Sequence, residues 1–276
     1  MIYLRGKNWL LFLQALIVVA IVVGAKLAVH SLGLELLSLN NLFSGIIAGN
    51  VFLMSFLLSG VLTDYKEAER IPGEMANTLA VLYEECEFLA SSRSSRADQN
   101  CVDAIADLVE QTGSWFHRRL RTRELLDLTR RCNILLSDLE PTVPANHVVR
   151  LKSELTGLRR LIVRTDTIRD TSFISSGYLI ASSVTGLLCI GLILSRIEPF
   201  TESLFFVGVI SFLMIFLLLL IRDLDDPFAF EDNSSAENVS LYPIERLQQQ
   251  IVEERAAIGA NTRTTTLPQN LTSQEK

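Results

Sequence analysis

The chain has 276 residues, nearly half of them apolar, and sets 25 basic against 31 acidic side chains for a formal net charge of −6. An acidic balance without interleaved aromatics and bases argues against a nucleic-acid partner. The apolar half is gathered into blocks, so the lipid bilayer is the solvent to reason about.

Four blocks carry that reading: residues 9–29, 43–63, 175–195 and 203–221. Each is about 20 residues long and nearly free of charge, the length a helix needs to cross about 30 Å of hydrocarbon. The first is longer than the ~7–15-residue core of a signal peptide. Lys26 and the following AVHSLGLELL stand where a small-residue cleavage site belongs, so this block is expected to stay as an anchor.

Lysine and arginine near the span ends set the orientation. Arg5 and Lys7 precede the first span, Lys66 and Arg70 follow the second, Arg159, Arg160, Arg164 and Arg169 precede the third, and Arg222 follows the fourth. By the positive-inside rule all of these share one side, which places both termini and the middle segment in the cytoplasm or its equivalent. Loops 30–42 and 196–202 carry Glu35, Glu198 and Glu202 against Arg196 and face the other way.

The second span is the strongest candidate for a pore wall. At 100° per residue, Gly45, Ala48, Phe52, Ser55, Ser59 and Thr63 share one face, with Ile47, Val51, Met54 and Leu58 beside it. Small and hydroxylated residues suit either close packing against another span or the edge of a channel narrowed by the apolar row. In the other spans Gln14, Ser182, Ser183 and Thr185 are read first as packing groups.

This span runs without a pause into TDYKEAERIP. Asp64, Glu67 and Arg70 fall at i, i+3 and i+6 of a continuing helix and can bind neighbouring helices or a second subunit, so they are read as an interface rim. Pro72 is expected to end that helix.

Residues 64–174 read as a helical cytoplasmic region. After Pro72-Gly73 comes a stripe of Met75, Leu79, Leu82, Cys86 and Leu89; a second helix is expected from near Ser95 or Asp98 to Pro141; a third follows Pro144, with Asn146 as a possible N-cap. Acids predominate from Asp64 to Glu110, and arginines, among them Arg118, Arg119, Arg121, Arg123, Arg130 and Arg131, from there to Arg169. The two runs fit either complementary faces of a helical hairpin or an aqueous vestibule that concentrates anions. Cys86, Cys101, Cys132 and Cys189 form no C-x-x-C pair, and reduced thiols are expected.

Residues 222–276 read as an acidic cytoplasmic tail, a short amphipathic helix bearing Ile244, Leu247 and Ile251, and a disordered Thr/Asn/Gln/Ser-rich end after Gly259. Motifs for phosphate loops, zinc proteases and serine hydrolases are absent from the sequence, and an enzyme is not expected.

Two short motifs resemble the bestrophins and bestrophin-like membrane proteins: TDYKEAERIP from Thr63 to Pro72, and LDDPFAFED, with Pro227-Phe228 followed by Glu231-Asp232. The order of two spans, a helical segment, two spans and a tail agrees over residues 1–235. The resemblance implies an all-α membrane protein assembled as a homopentamer, an ion channel passing monovalent anions, usually chloride, with second spans around the pore. Its neck falls among Ile47, Val51 and Ser55, with Ser59 continuing the lining. This sequence departs from the bestrophin pattern at Ser55, where a bulky group is usual, and near Asp64-Tyr65 and after Pro72, where tryptophans are usual and this chain has Gly73 in the second place. The resemblance also implies a calcium clasp after the last span, for which Asp223, Asp225, Asp226, Glu231 and Asp232 supply hard oxygen ligands for Ca²⁺. The competing reading is a non-conducting membrane scaffold or sensor whose cytoplasmic helices bind a protein. The sign of the ion stays open, because the loops of the first and second hairpins are acidic while the middle segment is rich in arginine.

Overall fold

The structure is a computed structural model that describes residues 8–38, 40–93, 95–170, 175–225, 227–228 and 239–265. Among the described residues eight helices follow one another: α1 (Asn8–Ser31), α2 (Asn41–Arg93), α3 (Arg96–Phe116), α4 (Thr122–Asp138), α5 (Ala145–Asp170), α6 (Ser175–Leu194), α7 (Phe200–Leu224) and α8 (Tyr242–Thr265). Two-residue strands β1 (Leu37–Ser38) and β2 (Ser195–Arg196) pair in parallel. Helices α1, α2, α6 and α7 are long and apolar enough to cross a membrane.

The chain forms two compact units. The first comprises Met1–Arg70 and Thr165–Val239. Its core joins Ala15 and Val22 of α1, Met54, Leu57 and Val61 of α2, Ala181, Leu188 and Leu192 of α6, and Val207, Met214 and Ile221 of α7. Small residues such as Ala15, Ala181 and Ser211 are fully buried, which is how helices that share an apolar solvent gain close contact. Much of what remains exposed is large and apolar, as a lipid-facing surface requires: Trp9, Leu13, Ile17 and Ile21 on α1, Leu179 and Leu187 on α6, Phe205 and Val209 on α7.

The second unit comprises Ile71–Arg164 and Ser240–Lys276. Stripes from α2, α3, α4, α5 and α8 fill it, with Trp115, Phe116, Leu79, Leu82, Ile105, Leu108, Leu125 and Leu136 under 2% exposed. Here the pattern is that of a water-soluble protein, with apolar residues at threes and fours and charge on the remaining faces.

Helix α2 corrects the expectation that Pro72 ends the second span's helix. Pro72 lies inside α2, which continues to Arg93. A proline within a helix removes one N–H and crowds the carbonyl four residues back. Burial outweighs that cost: Val61, Ala68, Ile71, Pro72, Met75, Leu79, Leu82, Cys86 and Leu89 form a buried row that passes through the proline.

The helix expected from Ser95 to Pro141 is two helices. Ser95 does cap α3, its hydroxyl accepting the Ala97 N–H. The break falls at 117–121, where Arg118 takes a left-handed φ of 57°. The turn is held by Trp115, whose Nε1–H donates to Thr122 Oγ1 at 3.0 Å, and by Glu124, whose Oε2 accepts the Arg121 N–H at 2.9 Å. Helix α5 begins at Ala145, so Asn146 sits in its first turn and is not the cap. Helix α8 extends to Thr265, beyond the short helix expected to end at Gly259, and residues 266–276 lie outside the described residues.

Candidate functional site

Within the first unit the side of α2 that its own core leaves open is a continuous row. Leu42, Gly45, Ile46, Ala48, Gly49, Phe52, Ser55, Phe56, Ser59, Leu62 and Thr63 are exposed, whereas Asn50, Met54, Leu57 and Val61 are buried. Ile47 and Val51 stand at the edge, half-buried and packed against the apolar cluster. The four residues read from the sequence as a pore wall therefore divide: Ser55 and Ser59 lie on the open row, Ile47 and Val51 on its border. Ser55 Oγ donates to the Val51 carbonyl at 2.8 Å and Thr63 Oγ1 to the Ser59 carbonyl at 2.9 Å. Their donors are used within the helix, and their lone pairs remain available as acceptors. Phe52 and Phe56, 76% and 63% exposed, are the aromatic groups of the row.

Further along α2, Glu67 and Arg70 are exposed and Asp64 is half-buried, one helical turn apart in sequence as expected, while Pro72 is buried. Pro72 is thus part of a core row and not of an exposed rim.

Asn50 explains how a carboxamide sits in an apolar span. It is buried, and its Nδ2 donates to Thr185 Oγ1 of α6 at 2.9 Å and lies 3.7 Å from Met214 Sδ of α7. Interhelical hydrogen bonds of this kind join membrane helices where the apolar effect does not.

Lys26 is the polar residue whose role the sequence did not disclose. Near the end of α1 it is fully buried, and its Nζ donates to Glu35 Oε1 at 2.7 Å and to the Ser195 carbonyl at β2. His30 Nδ1 stands 3.3 Å from the same Glu35 oxygen, and its ring stacks on Phe200. The hydrogen bond from Lys26 holds the Glu35 carboxyl below the usual carboxylate range; desolvation opposes it, and His30 adds to it. Together with β1–β2 pairing and the Leu36 N–H to Leu194 carbonyl bond, this clasp ties the α1–α2 loop to the α6–α7 loop. The signal in the sequence was a lysine inside an apolar block followed nine residues later by a glutamate.

In the second unit Arg118, Arg119, Arg121, Arg123, Arg130 and Arg131 are all exposed, the first three in the turn before α4 and the others on it. A cavity of about 620 Å³ lies between α3 and α8, bordered by Asp103, Asp107, Glu110, His117, Arg119 and Gln248. Gln248 Nε2 donates to the Val109 and Glu110 carbonyls of α3, an approach that Gly113 allows because a Cβ there would stand 2.4 Å from that nitrogen.

Of the five carboxylates read as a Ca²⁺ clasp, Asp223 and Asp225 are half-buried at the end of α7. Asp226, Glu231 and Asp232 lie outside the described residues. Among the described residues no three His, Cys, Asp or Glu side chains converge as a metal site.

An apolar four-helix unit with lipid-type surfaces, joined to a charged helical unit, defines an integral membrane protein. Its fold is that of the bestrophins. Crystal structures of a bacterial bestrophin homologue from Klebsiella pneumoniae match it. One, of a point variant, has a TM-score of 0.70 and 13% identity and covers 88% of this chain and 96% of the other. Another has a TM-score of 0.66 and 14% identity, with coverages of 90% and 98%. No protein-family model and no curated protein matches the sequence.

Proposed function

We propose that several copies of this chain, five by the bestrophin resemblance, surround a common axis as an ion channel, with the open row of α2 facing the axis and the adjoining subunits. The observation that carries this is the composition of that row. The exposed faces of α1 and α7 offer lipid Trp, Phe, Leu, Ile and Val, whereas α2 sets Gly45, Ala48, Gly49, Ser55, Ser59 and Thr63 among its exposed Leu42, Ile46, Phe52, Phe56 and Leu62. Small and hydroxylated groups gain little from hydrocarbon and much from close helix contact or water. Phe52 and Phe56, with Ile47 and Val51 at the border, supply an apolar constriction of the kind that gates by dewetting.

Anions, chloride above all, are the proposed cargo. The exposed arginines from Arg118 to Arg131 raise the local anion concentration on the side that the basic flanks assign to the cytoplasm, where both termini also lie. The rim carboxylates Asp64 and Glu67 with Arg70 contribute to subunit contacts, and the carboxylates from Asp223 to Asp232 to a Ca²⁺ site beneath the last span.

Purified protein in a planar bilayer under a potassium chloride gradient tests this reading. Unitary currents reversing near the chloride equilibrium potential support it. Currents reversing near the potassium potential overturn the anion assignment, and a silent bilayer with correctly inserted protein supports a scaffold in its place.

A further inference from the structure

A small cavity of about 170 Å³ opens between α4 and α5 in the second unit. Each helix gives it three residues at the same spacing: Thr129, Arg130 and Asn133 from α4, and Leu155, Thr156 and Arg159 from α5. In both triplets the first residue is buried, and the other two, about one helical turn apart, are exposed. Thr129 and Leu155 therefore make the floor, while Arg130, Asn133, Thr156 and Arg159 make the rim.

The rim gathers positive charge that the fold itself does not answer. Among the described residues no carboxylate borders the cavity, and neither Arg130 nor Arg159 is in an ion pair. Elsewhere in the same unit arginines do find acids: Arg150 meets Glu85 at 2.8 Å, and Arg255 meets Asp103. One turn from Arg159 along α5 stand only Leu155, Thr156, Ile162 and Val163, and one turn from Arg130 along α4 the single acid is Asp127. The threonine hydroxyls are spent on their own helices, Thr129 Oγ1 donating to the Leu125 carbonyl at 2.9 Å and Thr156 Oγ1 to the Lys152 carbonyl at 2.8 Å. A lone surface arginine is ordinary, but two cations at the mouth of one small cavity repel each other, and an anion between them relieves that repulsion.

We propose that this cavity binds a phosphate group. Its volume falls below the roughly 300–1,000 Å³ that encloses a drug-sized ligand, so it takes a single charged group and not a whole nucleotide. Two guanidiniums balance the charge of about −1.5 to −2 that a phosphate monoester carries at neutral pH. Their planar forks pair with its oxygens two at a time, and Asn133 adds an amide donor. Chloride gives a fork nothing to span, and a carboxylate brings only half the charge. Free inorganic phosphate and the phosphomonoester headgroup of a lipid such as phosphatidic acid offer the same chemistry. The site does not depend on ion passage through the membrane unit.

Calorimetric titration of the full chain in detergent with sodium phosphate, against sodium chloride at equal ionic strength, tests the proposal. The expected result is saturable binding of one phosphate per chain that chloride does not reproduce. Arg130→Gln and Arg159→Gln should each weaken it about tenfold, the worth of a hydrogen bond to a charged group. Both positions are exposed, so the variants should melt like the parent when phosphate is absent. Arg123→Gln and Arg131→Gln remove the same charge from α4 outside the cavity and should leave the affinity unchanged. A second titration in micelles carrying phosphatidic acid separates the two sources. Phosphate binding weakened there, but not by phosphatidylcholine, assigns the site to the lipid headgroup; undiminished binding assigns it to the free ion. The absence of saturable phosphate binding, or a loss in Arg123→Gln and Arg131→Gln as large as in the cavity variants, overturns the proposal.

Discussion

The two units handle buried polarity in opposite ways. In the first unit, Lys26 and Asn50 are each tied to side chains or carbonyls on another segment, because hydrocarbon offers no water to share. In the second, Thr112 and Thr129 bond only to carbonyls of their own helices, and apart from Asp98 near the start of α3 the rest of the core is apolar or sulfur. Buried side-chain contacts between segments thus supplement apolar packing in the membrane unit, while the buried threonines of the helical unit make none.

Removing the largest buried ring of the second unit should do the most damage. Trp115→Ala empties the site beside Phe116 and deletes the bond to Thr122, and should lower stability by about 4 kcal/mol, seen as early thermal unfolding. In the first unit the matching lesion is electrostatic. Glu35→Ala leaves Lys26 buried without its carboxylate and should cost about 3 kcal/mol, whereas Lys26→Met, which removes the charge itself, costs less. The same clasp gives a pH dependence. Glu35 has a folded pKa below its unfolded value, so its contribution is complete above the ordinary carboxylate range and is lost as pH falls through the depressed value. A melting series in acid should show that loss, and Glu35→Gln should flatten it.

Smaller effects sharpen the contrast. Asn50→Ala should cost about 1 kcal/mol by unfolding in detergent, the usual worth of a hydrogen bond between membrane helices. Gly113→Ala should displace the Gln248 amide from α3 and loosen α8 by about 1 kcal/mol, read as faster proteolysis after Arg246 or Arg255. Ser55→Ala should change stability by less than about 0.5 kcal/mol, since its hydroxyl bonds only within α2, yet alter unitary conductance if it borders the passage.

The spans were legible because about 20 uninterrupted apolar residues have few alternatives. Helix α2 beyond Pro72 was not, because proline breaks helices by local rules and only the buried row from Val61 to Leu89, which depends on tertiary packing, overrides it. The 117–121 turn was hidden for a related reason: Arg118 and Arg119 are ordinary helix formers, and the break depends on Trp115 reaching Thr122. For the site, the residue types on α2 were readable, but which of them its own subunit covers depends on where α6 and α7 pack. That is why Ile47 and Val51 share the border while Ser55 and Ser59 are open. The Lys26–Glu35 clasp needed the Ser195 carbonyl, 169 residues away, to become visible.

A single-particle reconstruction of the purified full chain decides whether the open row of α2 surrounds an axis shared by several copies. The expected particle has several copies with Ser55 and Ser59 of each bordering one central passage. A lone copy, or an assembly with that row turned outward to detergent, would contradict that arrangement.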